Sequence, residues 1–493
     1  MEQRLGNLDP IMSAAHQTRD HGYLVYDTLY ALDSEQQIQP QMVESHEVSE
    51  DGTTYTFTLR DGLTWHDGTP VTSADVIASI NRWGQRDRMG LALRGITETI
   101  EPVDEQTFVV TLSVPTSVIL DAFAKPSGVP LFIMPERVAQ TPFSEQITEY
   151  VGSGPFVFAA DQYEPGVRAV YTRFEDYVPR EEPASQLAGG KVAKVDRIER
   201  IEMADALTAL NALNSGEVDY VQTVLPDLMP LLSPDVTTQN IDEFGYQIGY
   251  RFNHLQAPFD NRLVRQAAIW AIGQQEPLQA QFGSDEHYAL CGAIFGCGLP
   301  YESDAMVEMA LEADPDRARD LLEEAGYQGE PIVLLHVTDS PAMSSIAPVL
   351  AQQLREAGFS VELRAMDFMT MLSQRANQGP VADGGWSIFI TSWHNTEIQD
   401  PLRNYMIVAA GAGEEGYAGW ADVPEIVDQT QAFLRAPTQE DRERIAAEIQ
   451  SIVYEEAIYA PLGTQARLTA LAPGVEGVLN APANVFWNIS KGE

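Results

Sequence analysis

The segment TSWHNTEIQDP, residues 391–401, sets an indole (Trp393), an imidazole (His394), an amide (Asn395) and two carboxylates (Glu397, Asp400) close together. This set suits recognition of a solute: the ring offers a flat apolar wall, while the amide and acids offer directed contacts to polar groups and amines. A little further on, EGYAGW adds Tyr417 and Trp420 as further ring surfaces. The segment follows WSIFITSW, which reads as a buried strand, and open α/β sheets place their ligands just past the carboxyl ends of such strands.

Other groups of reactive residues point away from catalysis. His66-Asp67 lies between glycines in DGLTWHDGTP, but Asp67-Gly68 is a turn signal and no nucleophile stands nearby, so structural use is expected, with Trp65 as an apolar anchor. Cys291 and Cys297, with His287 close by, are too few ligands for zinc, and a small loop-closing disulfide is expected instead. GAGEEG (411–416) satisfies G-x-G-x-x-G, yet Glu414 and Glu415 would face a pyrophosphate and no apolar helix follows. The sequence contains no G-x-S-x-G, Walker or H-E-x-x-H motif and no calcium-loop pattern, and nothing in it asks for a metal or cofactor.

The charge balance narrows the partners. Against 72 acidic residues stand 30 basic ones, a formal net of −42, and lysine occurs only at 125, 191, 194 and 491. A surface this acidic disfavours nucleic acid and suits salty surroundings, where self-repulsion is screened. No apolar run is long enough to span a membrane. The opening MEQRLGNLDPIMSAAHQ has no basic stretch followed by an apolar one, so no secretory leader is read in it.

These segments need elements to hold them. TYTFTLR alternates Tyr55, Phe57 and Leu59 on one face and predicts a strand; TFVVTLSV (107–114) predicts another. Between them TSADVIASINRW predicts a helix, with Thr72 as cap, Asp75 three residues on, and Val76, Ile77, Ile80 and Trp83 on one face. From about residue 330 the pattern becomes strand (PIVLLHV), helix (SSIAPVLAQQLREAG), strand (FSVELRA), helix (DFMTMLSQRAN), strand (WSIFITSW), which predicts a parallel sheet with crossovers. DPDRARDLLEEAG and EDRERIAAEIQSIVYEEA predict two further helices, IYAPLG a strand, and residues 179–194 a surface insertion.

In order along the chain, LDPI, YDTLYALDSEQQIQPQMVESHEVSEDGTTYTFTLRDGLTWHDGTPVTSADVIASI, GSGPF (152–156), NALNSGEVDYV (211–221), RFNHLQAPFDNRLVRQAAIWAI (251–272), SIAPVLAQQLREAGFSVEL and QSIVYEEAIYAPLG resemble the periplasmic solute-binding proteins of ATP-binding-cassette importers, in the dipeptide/oligopeptide/nickel class. The resemblance implies an α/β, two-lobed clamshell of type II with an extra subdomain on the first lobe. It assigns lobe I to residues 1–30, 155–241 and 461–493, the subdomain to 31–154, lobe II to 242–460, and a hinge to 242–250 and 457–463. It further implies a non-enzymatic, exported, periplasmic monomer that closes on its ligand and delivers it to a membrane permease.

Three departures from the family pattern bear on the ligand and the start of the chain. Only seven residues precede Leu8, where the family has a leader and a first strand, so the resemblance implies a late start. Dipeptide binders hold the ligand amine with an aspartate soon after the tryptophan that matches Trp393; here His394, Asn395, Thr396 and Glu397 follow. They hold the ligand carboxylate with an arginine after the strand matching PIVLLHV, and here that place is Asp339. The expected ligand is therefore a peptide or peptide-like, cationic solute, contacted by Trp393, His394, Asn395, Glu397 and Asp339, with Tyr417 and Trp420 as walls. An oligosaccharide, opine or metal-chelate binder on the same fold is the alternative; an α/β enzyme or a chaperone-like scaffold stands further off.

Overall fold

Alternating side chains decide the first sheet. In the computed structural model, which describes residues 5–203, 205–340, 343–413 and 416–492, Tyr55, Phe57 and Leu59 of the strand Thr54–Leu59 all face inward. Phe57 stacks on Phe108 of Thr107–Leu112 at 5.0 Å, and Val43–Val48 and Thr97–Pro102 complete a four-stranded antiparallel sheet. The helix Ser73–Trp83 starts as its sequence dictates: Thr72 and Asp75 exchange hydrogen bonds in a capping box, which satisfies N–H groups a helix start leaves free. Val76, Ile80 and Trp83 are buried, while Ile77 is only partly so.

Internal contacts divide the chain into two compact units, Met1–Glu243 with Leu468–Glu493, and Phe244–Arg467. The first holds the four-stranded sheet and two three-stranded ones. One of these runs Arg197–Ile201, Arg168–Arg173, Phe156–Phe158, and the other Tyr220–Val221, Leu468–Leu471, Thr237–Asn240. The second of these carries its own small core of Leu210, Leu213, Val224, Ala470 and Ala472. A cavity of about 660 Å³ lies along the Arg197–Ile201 and Tyr220–Val221 strands, each at the edge of its sheet, with Phe486 as a further wall.

Residues 179–194, expected as a surface insertion, are not all at the surface. Gln186 to Lys191 are buried, and the Lys191 ammonium pairs with Asp27 at 2.6 Å with both side chains fully enclosed. The same ammonium lies 4.9 Å from the Trp487 ring centre. Polar composition suggested solvent, but a buried ion pair draws the segment inward.

In the second unit a six-stranded sheet runs Tyr288–Ala289, Tyr459–Gln465, Tyr246–Phe252, Ile388–His394, Pro331–Val337, Ser360–Met366. Pro331–Val337 is parallel to both Ser360–Met366 and Ile388–His394, as the alternating pattern predicts. The remaining pairings are antiparallel, so the sheet is mixed rather than parallel. The cause is chain path: Tyr246–Phe252 follows the entry into the unit at Phe244, and Tyr459–Gln465 precedes the exit at Arg467, so neighbouring strands run in opposite senses. Every residue of Tyr246–Phe252 is buried. The helices Pro315–Ala325, Ile346–Glu356 and Gln439–Glu455 form where their patterns placed them, the first capped by Asp314 and ended by Gly326 at φ 71°.

Candidate functional site

Trp393 and His394 close the strand Ile388–His394, and the chain turns at once into the short helix Asn395–Ile398. His394 makes that turn possible. Its Nδ1 accepts the Thr396 N–H at 3.1 Å and meets the Thr396 hydroxyl at 2.7 Å, and its ring sits edge-on to Tyr246 at 5.0 Å. The Asn395 amide donates to the Phe244 carbonyl at 2.5 Å and to the Thr464 hydroxyl at 3.3 Å. Both side chains are fully buried, and Glu397 is 8% exposed. The two residues thus fix where the strand ends, and Trp393 is the partly exposed member of the group.

The loop closed by Cys291 and Cys297 supports this segment from one side. Their sulfurs are bonded at 2.11 Å, and Gly296, at φ 88°, brings its backbone so close to Asn395 that an added Cβ would lie 2.8 Å from Oδ1. Loop carbonyls are held in turn: Gln247 donates to Ala293, Tyr454 to Gly292 and Asn404 to Ile294.

Beyond Trp393 the structure builds a column of rings. Trp393 stacks on Tyr405 at 5.6 Å with planes 14° apart, and Tyr405 meets Tyr417 at 5.9 Å. Tyr405 is 38% exposed, while Trp393 and Tyr417 are partly buried. At the end of the column Tyr417 lies near two guanidinium groups, Arg251 at 5.3 Å and Arg375 at 5.5 Å from its ring centre, and its hydroxyl accepts from Arg375 Nη1 at 3.2 Å. Burial raises the Tyr417 phenol above its ordinary pKa, and the two arginines oppose that rise. Gly419, at φ 107°, lets the loop pass directly over Arg251; a Cβ there would meet the Phe252 carbonyl at 2.5 Å.

The other expected contacts stand elsewhere. Trp420 is 6% exposed and packs on Trp386 at 5.8 Å, which places it in the core of the unit. Asp339 is exposed and accepts the Phe368 N–H at 2.8 Å, at the head of the helix Phe368–Gln374 whose far end carries Arg375. Glu414 and Glu415 lie outside the described residues. Sequence reasoning passed over Tyr405, Arg251 and Arg375. The first sits in an apolar run, YMIVAA, and the arginines lie in a strand and at a helix end far from the motif. Only the rarity of basic residues in so acidic a chain could have flagged them.

His66 and Asp67 are structural. The His66 ring bridges two backbone groups of the 152–156 segment: Nε2 donates to the Gly154 carbonyl at 3.0 Å and Nδ1 accepts the Gly152 N–H at 3.3 Å. Burial pushes its pKa down to about 4, so the ring is neutral, as this pairing requires. Asp67 accepts from Thr69 and Arg137, and Trp65 is buried.

Comparison with known proteins agrees with this architecture. The family described as bacterial extracellular solute-binding proteins, family 5 Middle, matches residues 37–414. A probable peptide ABC transporter periplasmic-binding protein of Sinorhizobium fredii is 36% identical over 99% of this chain and 92% of its own length. Among solved structures, an ABC transporter substrate-binding protein of Listeria monocytogenes superposes with a TM-score of 0.81 at 21% identity, over 99% of this chain and 97% of that one. A periplasmic binding protein of Helicobacter pylori in complex with the peptide STSA gives 0.78 at 20% identity, over 99% and 96%. The fold is the α/β, two-lobed fold of periplasmic binding proteins. The chain belongs to the bacterial extracellular solute-binding proteins of family 5.

Proposed function

We propose that this protein is the substrate-binding component of an ATP-binding-cassette importer, that it captures a peptide or peptide-like solute, and that it hands the solute unchanged to a membrane permease. The observation that carries the reading is the ring column Trp393–Tyr405–Tyr417, set at the carboxyl end of a central strand in a protein of this family. The peptide class is supported by the name of the Sinorhizobium relative and by the peptide held in the Helicobacter structure. Trp393 and Tyr417 are the contacts, and His394 and Asn395 act by fixing the strand end that presents Trp393. On the same footing, the protein acts in the periplasm as a monomer, and the two units are the two lobes, joined where the chain crosses at 243/244 and 467/468.

The test is binding of short peptides followed by thermal unfolding and calorimetry, with mass spectrometry of the recovered peptide. A ligand at 100 times its Kd stabilises the folded protein by about 3 kcal/mol, which raises Tm. Trp393→Ala should weaken binding at least ~10-fold while leaving the circular dichroism spectrum unchanged. A panel that shifts nothing defeats the peptide reading, and a cleaved or altered peptide defeats the non-enzymatic one.

A further inference from the structure

Residues 291–297 form neither helix nor strand, yet six of the seven are buried and only Cys297 is partly exposed. Loops ordinarily run over the surface, because irregular backbone inside a protein must find partners for its polar groups. Side chains supply those partners here, but only over the first part of the loop. Gln274 accepts the Cys291 N–H at 2.9 Å and donates to the Cys291 carbonyl at 2.8 Å. Tyr454 donates to Gly292, Gln247 to Ala293 and Asn404 to Ile294, and Gln450 accepts the Ile294 N–H at 3.0 Å. Among the described residues no side chain hydrogen-bonds the backbone of Phe295, Gly296 or Cys297; the Gly296 N–H turns back to the Ala293 carbonyl at 3.2 Å. That second part is the one that touches the candidate site. Gly296 lies against Asn395 Oδ1, a buried oxygen with no donor among the described residues. Asn395 is thus held by hydrogen bonds on its Nδ2 side, to Phe244 and Thr464, and by packing on the side of Gly296.

Resting on the solute-binding reading of the ring column, we infer that the Cys291–Cys297 disulfide is a positioning element of the site. It carries the anchorage of Cys291 across to Gly296, keeps Gly296 against Asn395, and thereby fixes the strand end that presents Trp393. With the bond open, the second part of the loop keeps only the packing of the buried Phe295 and the hydrogen bond from Gly296 to Ala293. Asn395 then loses its wall on the Oδ1 side, and an oxygen without a donor is free to turn toward one. The solute is accordingly held tightly by the oxidised protein and less tightly by the reduced one. Cys297 gives a thiol reductant access to the bond. Dithiothreitol opens it by exchange: the reagent ends as its own cyclic disulfide, and both cysteines end as thiols.

The test compares oxidised wild type, wild type reduced with dithiothreitol, the same protein reoxidised, and the double variant Cys291→Ala with Cys297→Ala. Amide hydrogen exchange without ligand reads residues 393–398 against the strand Pro331–Val337 of the same unit, and calorimetry reads binding of the tripeptide Ala-Ala-Phe. Opening the bond by either route should speed exchange at 393–398 about 10-fold, leave Pro331–Val337 unchanged, and weaken binding about 5- to 20-fold. Reoxidation should restore both readings, and the double variant should not respond to dithiothreitol. Reduced wild type, made from folded protein, gives the same reading where the double variant fails to fold. Exchange that rises alike in both segments reports a general contribution to stability and overturns the assignment. Unchanged exchange at 393–398 overturns it too, as does faster exchange with unaltered affinity. Failure of Ala-Ala-Phe to bind the oxidised wild type counts against the peptide reading alone, since the exchange comparison needs no ligand and still decides whether the bond holds the strand end.

Discussion

The two units differ in how they hold their most deeply buried positive charges. In the first, four enclosed cations have an acid against them, Arg82 with Asp9 at 2.8 Å, Lys191 with Asp27 at 2.6 Å, Lys125 with Asp87 at 2.5 Å and Arg19 with Asp20 at 2.9 Å, while Arg60 donates to the Gln41 and Val178 carbonyls. In the second, Arg403 pairs with Asp400 at 2.5 Å and Arg265 lies 3.8 Å from Glu456, but around Tyr417 Arg251 and Arg375 face, among the described residues, rings, backbone carbonyls and the Tyr417 hydroxyl. Neutralised pairs fix geometry and present little field to a solute. Uncompensated guanidinium groups cost desolvation in the empty protein and offer attraction to an incoming anion. The contrast sets the closed pairs of the first unit against two guanidinium groups beside Tyr417 that no described acid neutralises.

The largest expected effect comes from opening one of the closed pairs. Asp27→Asn strands the Lys191 ammonium in a fully buried place and should destabilise the first unit by about 3–5 kcal/mol, read from denaturant unfolding. Asp27→Asn with Lys191→Met removes both charges and should recover at least half of that loss. If the double variant is no better than the single one, the pair is not what holds residues 186–191 in the interior.

Arg251→Met applies the same operation to the second unit and should cost less, about 1–3 kcal/mol, because among the described residues no acid is left stranded and the penalty falls on the Met406 and Val408 carbonyls losing their donor. The variant should also weaken binding of an acidic solute while sparing a neutral one. A loss equal to that of Asp27→Asn, with no change in charge preference, would erase the distinction between the units.

Much of the frame was legible along the chain because local rules dictated it. The alternation of Tyr55, Phe57 and Leu59, the Thr72–Asp75 capping box, Gly326 after its helix and the strand–helix alternation after residue 330 each specify an element from nearby residues. The antiparallel half of the second sheet was not, since it depends on where the chain enters and leaves the unit. Nor was the burial of residues 186–191, which rests on a partner 164 positions away in Asp27. The site divides in the same way. Trp393 and its neighbours announced themselves by composition, whereas Tyr405 and Arg375 reach the column only through tertiary packing. Asp339 was read by its charge, and its hydrogen bond to Phe368 was invisible in the sequence.

A pH dependence, absent at neutral pH and growing only on acidification, tests the charge around Tyr417 most directly. His254, in the second unit, has its pKa pushed down to about 2, first by burial and then by the positive charges of Arg265 and Arg251. In the first unit His66 is held at about 4 chiefly by burial, with Asp67 pulling the other way. Both folded values lie below the ~6.5 of an unfolded histidine, so the stability these rings contribute is complete above that pH. As pH falls below ~6.5 the unfolded chain takes up protons that the folded protein refuses, and stability declines with a slope of about one proton per histidine. By pH 5 each should have lost on the order of 2 kcal/mol, before most carboxylates begin to titrate. His254→Gln should flatten the slope between pH 6.5 and 5 by one proton, and so should His66→Gln. The two sites part company when a neighbouring charge is removed. Arg251→Met should raise the His254 pKa, visible in the imidazole NMR titration, while leaving His66 where it is. An unmoved His254 would mean that burial and Arg265 set its value, and that the positive field around Tyr417 is weaker than the two arginines there imply.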